Sequence, residues 1–168
     1  MAEDASAGAR RQPGTRSLDA VLDRSIQLVS ERFGSGRVTQ TIAPGLDWAR
    51  VEDSAESVLL NLLDNALRAS PPDAAVHVLV TQEGDWLQIR DSDRGCGMSP
   101  AVLARAFEFG FSARADGGGH GLGLAVSKET VEGLDGSLEL ESEEGRAPAR
   151  RCGCRRWSTR TAHRAPDA

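Results

Sequence analysis

Two asparagines on one predicted helix carry side chains that could bind a metal ion. The stretch NLLDNALRAS places Asn61 and Asn65 four residues apart and Arg68 three residues further on. Asn is unfavourable inside a helix because its side chain competes for backbone hydrogen bonds. At about 100° per residue, these three side chains lie on one stripe, opposite the apolar face of the helix. Mg²⁺ accepts amide oxygens and guanidinium groups bind phosphate, so the stripe predicts either a magnesium nucleotide site or an ordinary solvated face.

The first glycine-rich stretch, DRGCG, is predicted to follow a strand. Its carboxylate, Asp93, could accept a hydrogen bond from the exocyclic amine of a base. Gly95 and Gly97 would let the backbone lie flat against that base, where a Cβ atom would collide. The same residues also suit a common tight turn that begins with an acidic residue, so this stretch alone leaves both interpretations open.

The second glycine-rich stretch, GGGHGLGLAVSKE, leads directly into a predicted helix. It contains Gly119, Gly121 and Gly123, and backbone N–H groups at a helix start can face phosphate. A flexible linker would explain the first glycines equally well, but it would not explain the GLGLAV segment that enters the helix. Neither a GxGxxG fingerprint after a strand nor the GK[ST] ending of a P-loop is present.

Helical and strand patterns alternate around these motifs. Helices are predicted over residues 18–33 with Ser17 as N-cap, and over residues 53–70, 101–107 and 122–134. Strands are predicted over residues 37–45, 47–51, 74–82, 85–91 and 136–142, the third and fourth as an antiparallel hairpin. The glycine-rich residues 108–121 are predicted to form a mobile loop.

The predicted organisation is one domain with a tail at each end. Residues 1–16 are small and polar and are expected to be disordered, residues 17–145 form the domain, and residues 146–168 form an Arg-rich irregular tail. This tail holds seven Arg and one acid, so residues 1–145 carry 13 basic and 24 acidic side chains. Because so acidic a body repels nucleic acid, no nucleic-acid partner is expected.

Cysteine usage and hydropathy predict a cytoplasmic protein. The three Cys form no disulfide framework, which suits a reducing compartment. No apolar run approaches the ~20 residues that a membrane span needs, so no membrane segment is expected in this chain. A hydrophobic content of 39% is enough for a real core.

Together and in this order, the motifs resemble the catalytic and ATP-binding domain of sensor histidine kinases, within the ATPase superfamily shared with gyrase, a heat-shock chaperone family and MutL. NLLDNALRAS resembles the asparagine box of that family, DRGCGM its first glycine box and FEFGFSAR its phenylalanine box. GHGLGLAVSKETVEGLDGSLELES resembles the second glycine box with its helix and strand. The resemblance runs from about Leu18 to Gly145. It implies an α/β fold, an α+β sandwich in which helices pack on one face of a mixed β-sheet and a flexible lid covers ATP.

The resemblance also implies a role for each matching residue. Asn65 would hold Mg²⁺ with Asn61 beside it, Arg68 would contact phosphate, and Asp93 would bind the adenine amino group. The base pocket would be lined by Gly95 and Gly97. The hinge and the phosphate-side wall of the lid would be formed by Gly119, Gly121, Leu122 and Gly123. The lid would be anchored through apolar contacts by Phe107 and Phe111.

Position 61 favours phosphoryl transfer over hydrolysis. Members of the superfamily that hydrolyse ATP carry a general-base Glu at the place of Asn61, and an amide cannot accept a proton near neutral pH. Phosphoryl transfer depends more on positioning and charge neutralisation. We therefore expect transfer of the γ-phosphoryl group to a histidine, with a response regulator downstream in a two-component system.

The phosphoacceptor is expected on a partner chain or on a dimerisation domain outside this sequence. The histidines here, His77, His120 and His163, lack the acceptor context of the family, and His77 is expected to be a half-exposed strand residue. A serine kinase of the anti-sigma type and a degenerate ATP-binding or partner-binding module remain alternatives. The family also ends in an apolar strand that the tail does not resemble. If that strand is missing, one sheet edge is left open.

Overall fold

The structure contains each predicted helix and strand between residues 17 and 142, and two further strands, one near each end of the chain. The computed structural model describes residues 14–46, 49–113 and 121–142 and the backbone of residues 153–160. The helices in this part of the chain are α1 (Leu18–Phe33), α2 (Ala55–Ala69), α3 (Pro100–Arg105) and α4 (Gly123–Glu132). The strands are β1 (Thr15–Ser17), β2 (Val38–Ile42), β3 (Arg50–Glu52), β4 (Val76–Glu83), β5 (Trp86–Asp93), β6 (Ser137–Ser142) and β7 (Gly153–Arg160).

The main sheet is mixed, with strand order β2-β4-β5-β7-β6. β2 pairs parallel to β4, and the other neighbours in this sheet pair antiparallel. β1 and β3 form a separate antiparallel pair. The helices α1, α2 and α4 contribute buried apolar residues to one core with β4, β5 and β6. The predicted fold class, a mixed sheet with helices on one face, is confirmed.

Helix α1 begins and ends at the residues that the sequence predicts. The hydroxyl of Ser17 accepts a hydrogen bond from the N–H of Ala20, which satisfies one free donor of the first turn. Gly34 ends the helix with a φ of 97°, a conformation that glycine adopts without steric cost. The apolar side of α1 is buried, with Val21 and Leu22 completely inaccessible.

Helix α2 is the centre of the core. Its buried apolar residues are Ala55, Val58, Leu59, Leu62, Leu63, Ala66 and Leu67, each at most 2% exposed. Burying a leucine side chain stabilises a fold by about 1.5–3 kcal/mol, so this face fixes the rotation of α2 about its axis. Asn61 and Asn65 lie outside that face and are half-buried. The prolines that follow Ser70 prevent the helix from continuing.

The predicted hairpin places a carboxylate at the end of a buried strand. Along β4 and β5 alternate residues are buried, as the period of two requires. On β5 the buried positions are Leu87, Ile89, Asp91 and Asp93. His77 on β4 is half-buried, as predicted, and its Nδ1 lies 3.0 Å from the hydroxyl of Thr39 on the neighbouring strand.

The prediction that residues 146–168 form an irregular tail is wrong for residues 153–160. Residues 153–160 form β7, which pairs with β5 over eight residue pairs and with β6 over six. A ladder is a backbone interaction, so two neighbouring strands can hold a segment whose sequence shows no apolar alternation. β7 therefore closes the gap between β5 and β6, and the edges of the main sheet are β2 and β6.

Several predictions concern residues outside the described ranges. They are the disorder of residues 1–13, the start of the predicted strand at Asp47 and Trp48, and the loop over residues 114–120 with Gly119 and His120. β1 begins at Thr15, before the predicted domain start. Within the described ranges, no helix combines the length and the apolar character that crossing a bilayer requires.

Removing β7 should disrupt the main sheet. In a chain that ends after residue 152, β5 and β6 lose their shared partner, and the freed strand edges promote association. We expect aggregation in size-exclusion chromatography and a broad, low thermal unfolding transition, whereas a chain that ends after Arg160 should behave as the full chain does. A monomer ending at residue 152 with an unchanged unfolding temperature would contradict the placement of β7.

Candidate functional site

The asparagine pair of α2 faces the start of α4. A methyl group built on Gly123, the first residue of α4, would lie 3.6 Å from Nδ2 of Asn65 and 3.7 Å from Oδ1 of Asn61. One helical turn further, Nδ2 of Asn61 donates a hydrogen bond of 3.3 Å to the hydroxyl of Ser127. The asparagine box and the second glycine box, 58 residues apart at Asn65 and Gly123, are therefore brought into contact.

The start of α4 is suited to an anionic group. Its first residue is Gly123, and the preceding residue, Leu122, makes no side-chain cap hydrogen bond to the first turn. The amide N–H groups of a first turn have no partners within the helix, and the helix dipole gives this end a partial positive charge. Because Asn61 and Asn65 lie beside the same turn, two side-chain amides and the N–H groups of that turn border one surface.

The Asp93 turn packs against the other end of the asparagine stripe. Oδ1 of Asp93 accepts a hydrogen bond of 2.8 Å from the N–H of Gly95, and the side chain is buried. A methyl group on Gly95 would lie 2.8 Å from the carbonyl oxygen of Ala69, the last residue of α2. At 1.5 Å per residue, Ala69 lies only about 6 Å beyond Asn65 along the helix axis. The Asp93 turn is thus held close, along the axis of α2, to Asn65.

The fold itself explains why both positions of this turn are glycine, without reference to a ligand. Gly95 has no room for a Cβ because the turn approaches the backbone of α2. Gly97 has a φ of 72°, which disfavours other residues. The next residue, Met98, donates its N–H to the hydroxyl of Ser142 at 2.8 Å, which ties the turn to the end of β6. A role of these glycines in lining a base pocket stays a prediction.

The phenylalanine box and the second glycine box are joined at their backbones. The N–H of Gly110 donates to the carbonyl oxygen of Gly121 at 3.1 Å. Gly121 has a φ of 64°, and a methyl group there would lie 2.5 Å from the carbonyl oxygen of Phe111. Gly121 is therefore in contact with Gly110 and Phe111, and a larger residue at position 121 would displace one of these backbones. Gly119, assigned to the same wall, lies outside the described residues.

The phenylalanines of this box have three different environments. Phe107 packs against the hydrophobic core, and Nζ of Lys128 on α4 lies 4.7 Å from its ring centroid. Phe111 is half-buried, with Cζ of Arg105 4.2 Å from its ring centroid. Phe109, which the sequence analysis did not single out, is 59% exposed. Two of these rings are thus held by cations, and one is directed to solvent.

Arg68 is not engaged with the asparagine pair. Its Nε donates a hydrogen bond of 2.5 Å to Oδ2 of Asp64, and its Cζ lies 5.9 Å from the ring centroid of Phe33. The sequence reasoning placed Arg68 on the correct stripe but did not consider Asp64, four residues earlier, as a competitor for it. The spacing of an acid four residues before a base on one helix was the available signal. A phosphate contact by Arg68 stays a prediction.

Comparison with known proteins places this geometry in a family. Residues 50–157 match the family described as histidine kinase-, DNA gyrase B- and HSP90-like ATPase. The sensor histidine kinase ZraS of Klebsiella oxytoca is 35% identical over 133 residues, which cover 77% of this chain and 28% of ZraS. The signal transduction histidine-protein kinase/phosphatase MprB of Mycolicibacterium vanbaalenii is 37% identical over 133 residues, which cover 76% of this chain and 27% of MprB.

Solved structures show the same fold. A mycobacterial sensor histidine kinase MprB structure superposes with a TM-score of 0.74 at 27% identity, covering 89% of this chain and 97% of that one. Full-length ShkA in complex with AMPPNP has the same fold, with a TM-score of 0.72 over 90% of this chain and 32% of that one. The chain spans little more than a quarter of the length of ZraS and MprB. The chain belongs to the histidine kinase-, DNA gyrase B- and HSP90-like ATPase family, as a histidine kinase catalytic and ATP-binding domain.

Proposed function

We propose that this chain binds Mg-ATP between the asparagine stripe of α2, the Asp93 turn and the start of α4, and transfers the γ-phosphoryl group to a histidine of a partner. The observation that carries the proposal is the convergence of these three elements around the second half of α2. Asn61 and Asn65 adjoin Gly123, and Gly95 adjoins Ala69. The full-length ShkA structure, which has the same fold, was solved with the nucleotide analogue AMPPNP.

The residues of this proposed nucleotide cleft fit the parts of a magnesium nucleotide. Asn65 supplies a neutral oxygen ligand of the kind that Mg²⁺ takes together with phosphates and water. Asp93 is a buried carboxylate at the end of β5, a group that accepts hydrogen bonds from amines such as the amino group of adenine. When bound, the magnesium ion neutralises phosphate charge. The first turn of α4 adds N–H donors on the phosphate side.

The chemistry of position 61 supports transfer to a protein side chain. The amide of Asn61 donates to Ser127 and cannot take a proton from water near neutral pH. Phosphoryl transfer depends on positioning and on charge stabilisation, which this cleft supplies without a base. The nucleophile would then come from the partner, with a response regulator as the next acceptor, in the cytoplasm.

Exposed apolar side chains beside the cleft suit the docking of that partner. Phe109, Leu122 and Val126 are 59%, 47% and 43% exposed. Leu122 and Val126 are four residues apart at the start of α4, and Gly110, next to Phe109, is hydrogen-bonded to Gly121, next to Leu122. Exposed apolar patches mark interaction sites. We assign this patch to a helix of the histidine-bearing partner.

Substitution of the two residues assigned to Mg²⁺ and adenine should weaken nucleotide binding. We expect Asn65→Ala and Asp93→Asn each to raise the Kd for a fluorescent ATP analogue with Mg²⁺ by at least about tenfold, the loss of ~1.4 kcal/mol of binding free energy. Thr41→Ala, an exposed change on the edge strand β2, should leave the Kd unchanged. Fluorescence titration measures all three. Equal Kd values for wild type and both site variants would refute the site.

The chemical stability of the phosphorylated product identifies the acceptor. With γ-labelled ATP and a histidine-bearing dimerisation domain from a relative, we expect label on that domain that is lost in acid. Acid-stable label on a serine would instead indicate a serine kinase. Nucleotide binding without any transfer would indicate a binding module.

The exposed patch should affect transfer but not nucleotide binding. Because Phe109 is directed to solvent, we expect Phe109→Ser to leave the Kd for ATP unchanged and to lower the transfer rate to the partner at least about fivefold, as interface aromatics often dominate association. Phe109→Leu, which keeps an apolar side chain, should retain most of the rate. Single-turnover transfer assays give the rates. Equal rates for wild type and Phe109→Ser would place the docking surface elsewhere.

A further inference from the structure

A cluster between α1 and α2 holds two guanidinium groups on one carboxylate. Oδ1 of Asp64 accepts a hydrogen bond of 2.6 Å from Arg32, and Oδ2 accepts one of 2.5 Å from Arg68. The ring centroid of Phe33 lies 5.2 Å from Cζ of Arg32 and 5.9 Å from Cζ of Arg68. The cluster therefore has one more cation than its anion can neutralise, and both cations share the same aromatic ring.

Arg68 is placed between this cluster and the asparagine pair. Viewed along α2, Asp64 lies about 40° to one side of Arg68, and Asn65 lies about 60° to the other side. Residues three and four apart on a helix have Cβ atoms ~5–6 Å apart, so the long side chain of Arg68 can reach either neighbour by rotation about its own bonds. No change of the backbone is needed.

Arg68 can leave Asp64 without leaving a charge unpaired. Asp64 would keep its hydrogen bond from Arg32, and Phe33 would keep the Arg32 guanidinium near its ring. The side chains of Arg68 and Asp64 are 27% and 28% exposed, so water screens their interaction. A nucleotide phosphate carries more charge than one carboxylate and binds guanidinium groups well.

We propose that Asp64 holds Arg68 in a displaceable ion pair, and that the phosphates of a bound nucleotide take Arg68 from it while Arg32 keeps Asp64 paired. Asp64 and Arg32 are then positioning residues of opposite effect. Asp64 opposes nucleotide binding because it retains Arg68. Arg32 favours binding because it still pairs with Asp64 after Arg68 has moved to the phosphates. This inference rests on the proposed nucleotide site.

Three substitutions test the exchange by their effects on ATP and on adenosine. Since an exposed ion pair is weak, we expect Asp64→Asn to lower the Kd for Mg-ATP about threefold and Arg32→Gln to raise it by about the same factor. Arg68→Gln should raise it about tenfold, as loss of a charged phosphate contact does. The Kd for adenosine, which has no phosphate, should stay within twofold of wild type in all three. Isothermal titration calorimetry gives the Kd for Mg-ATP, and competition against ATP gives the Kd for adenosine.

The Arg68→Gln background separates exchange from simple electrostatics. If Arg68 transmits the effects, Asp64→Asn and Arg32→Gln will no longer change the Kd for ATP in that background. Effects that persist there come from charge acting through space and overturn the proposal. Unchanged ATP binding by Arg68→Gln alone also overturns it. Wild-type chain that binds no ATP refutes the nucleotide site itself, which is a different result.

The variants are checked for folding by circular dichroism and thermal unfolding. Asp64→Asn removes the ion pair between Arg32 on α1 and Asp64 on α2, and will lower the unfolding temperature if that ion pair stabilises the fold. If this variant does not fold, Arg32→Gln carries the test, because the Arg32 side chain is 58% exposed and its expected effect on the Kd is in the opposite direction. An Arg32→Gln variant that folds and binds ATP as tightly as wild type overturns the proposal.

Discussion

The burial of one face of α2 is the constraint on which the rest of the structure depends. Seven apolar residues of this helix are almost inaccessible and contact the helices on either side and the sheet below. At about 1.5–3 kcal/mol for each large apolar side chain, this face outweighs any preference of the polar residues. The core face therefore fixes the rotation of α2 about its axis. This rotation directs Asn61 and Asn65 towards α4. The core packing of α2 therefore also holds these two asparagines in position.

Close backbone approaches complete the site. The Asp93 turn lies against the last residue of α2 because Gly95 has no side chain, and the phenylalanine box lies against Gly121 for the same reason. Contacts of this kind leave little freedom, since a backbone cannot move aside as a side chain can. Glycines that look like flexible or ligand-facing positions thus serve to bring three separate elements together. That convergence brings together the amide, carboxylate and N–H groups of the proposed site.

As we propose it, the site suits phosphoryl transfer better than hydrolysis. The position where a base could stand holds an amide that is hydrogen-bonded to Ser127. Positive charge is supplied at the phosphate side by a helix start and, in our proposal, by an arginine that is shared with an acidic neighbour. In that proposal Arg68 pairs with Asp64 before a nucleotide binds and with phosphate afterwards, so its charge is never left unpaired. The chain, which spans little more than a quarter of the matched sensor kinases, would meet its phosphoacceptor through the apolar surface around Phe109.

The sequence by itself determined the local elements and the kinds of groups in the site. Ser17 and Gly34 delimited α1, apolar periodicity gave both faces of α2, and alternation gave the hairpin that ends in Asp93, because caps and periodicities are set by neighbouring residues. It did not predict β7, the partner of Arg68 or the reason for Gly95. A ladder between three strands, the sharing of Asp64 between Arg68 and the distant Arg32, and the approach of a turn to the end of a helix all depend on residues far apart in the chain. Only the tertiary structure decides such contacts, because their energy arises when distant segments meet.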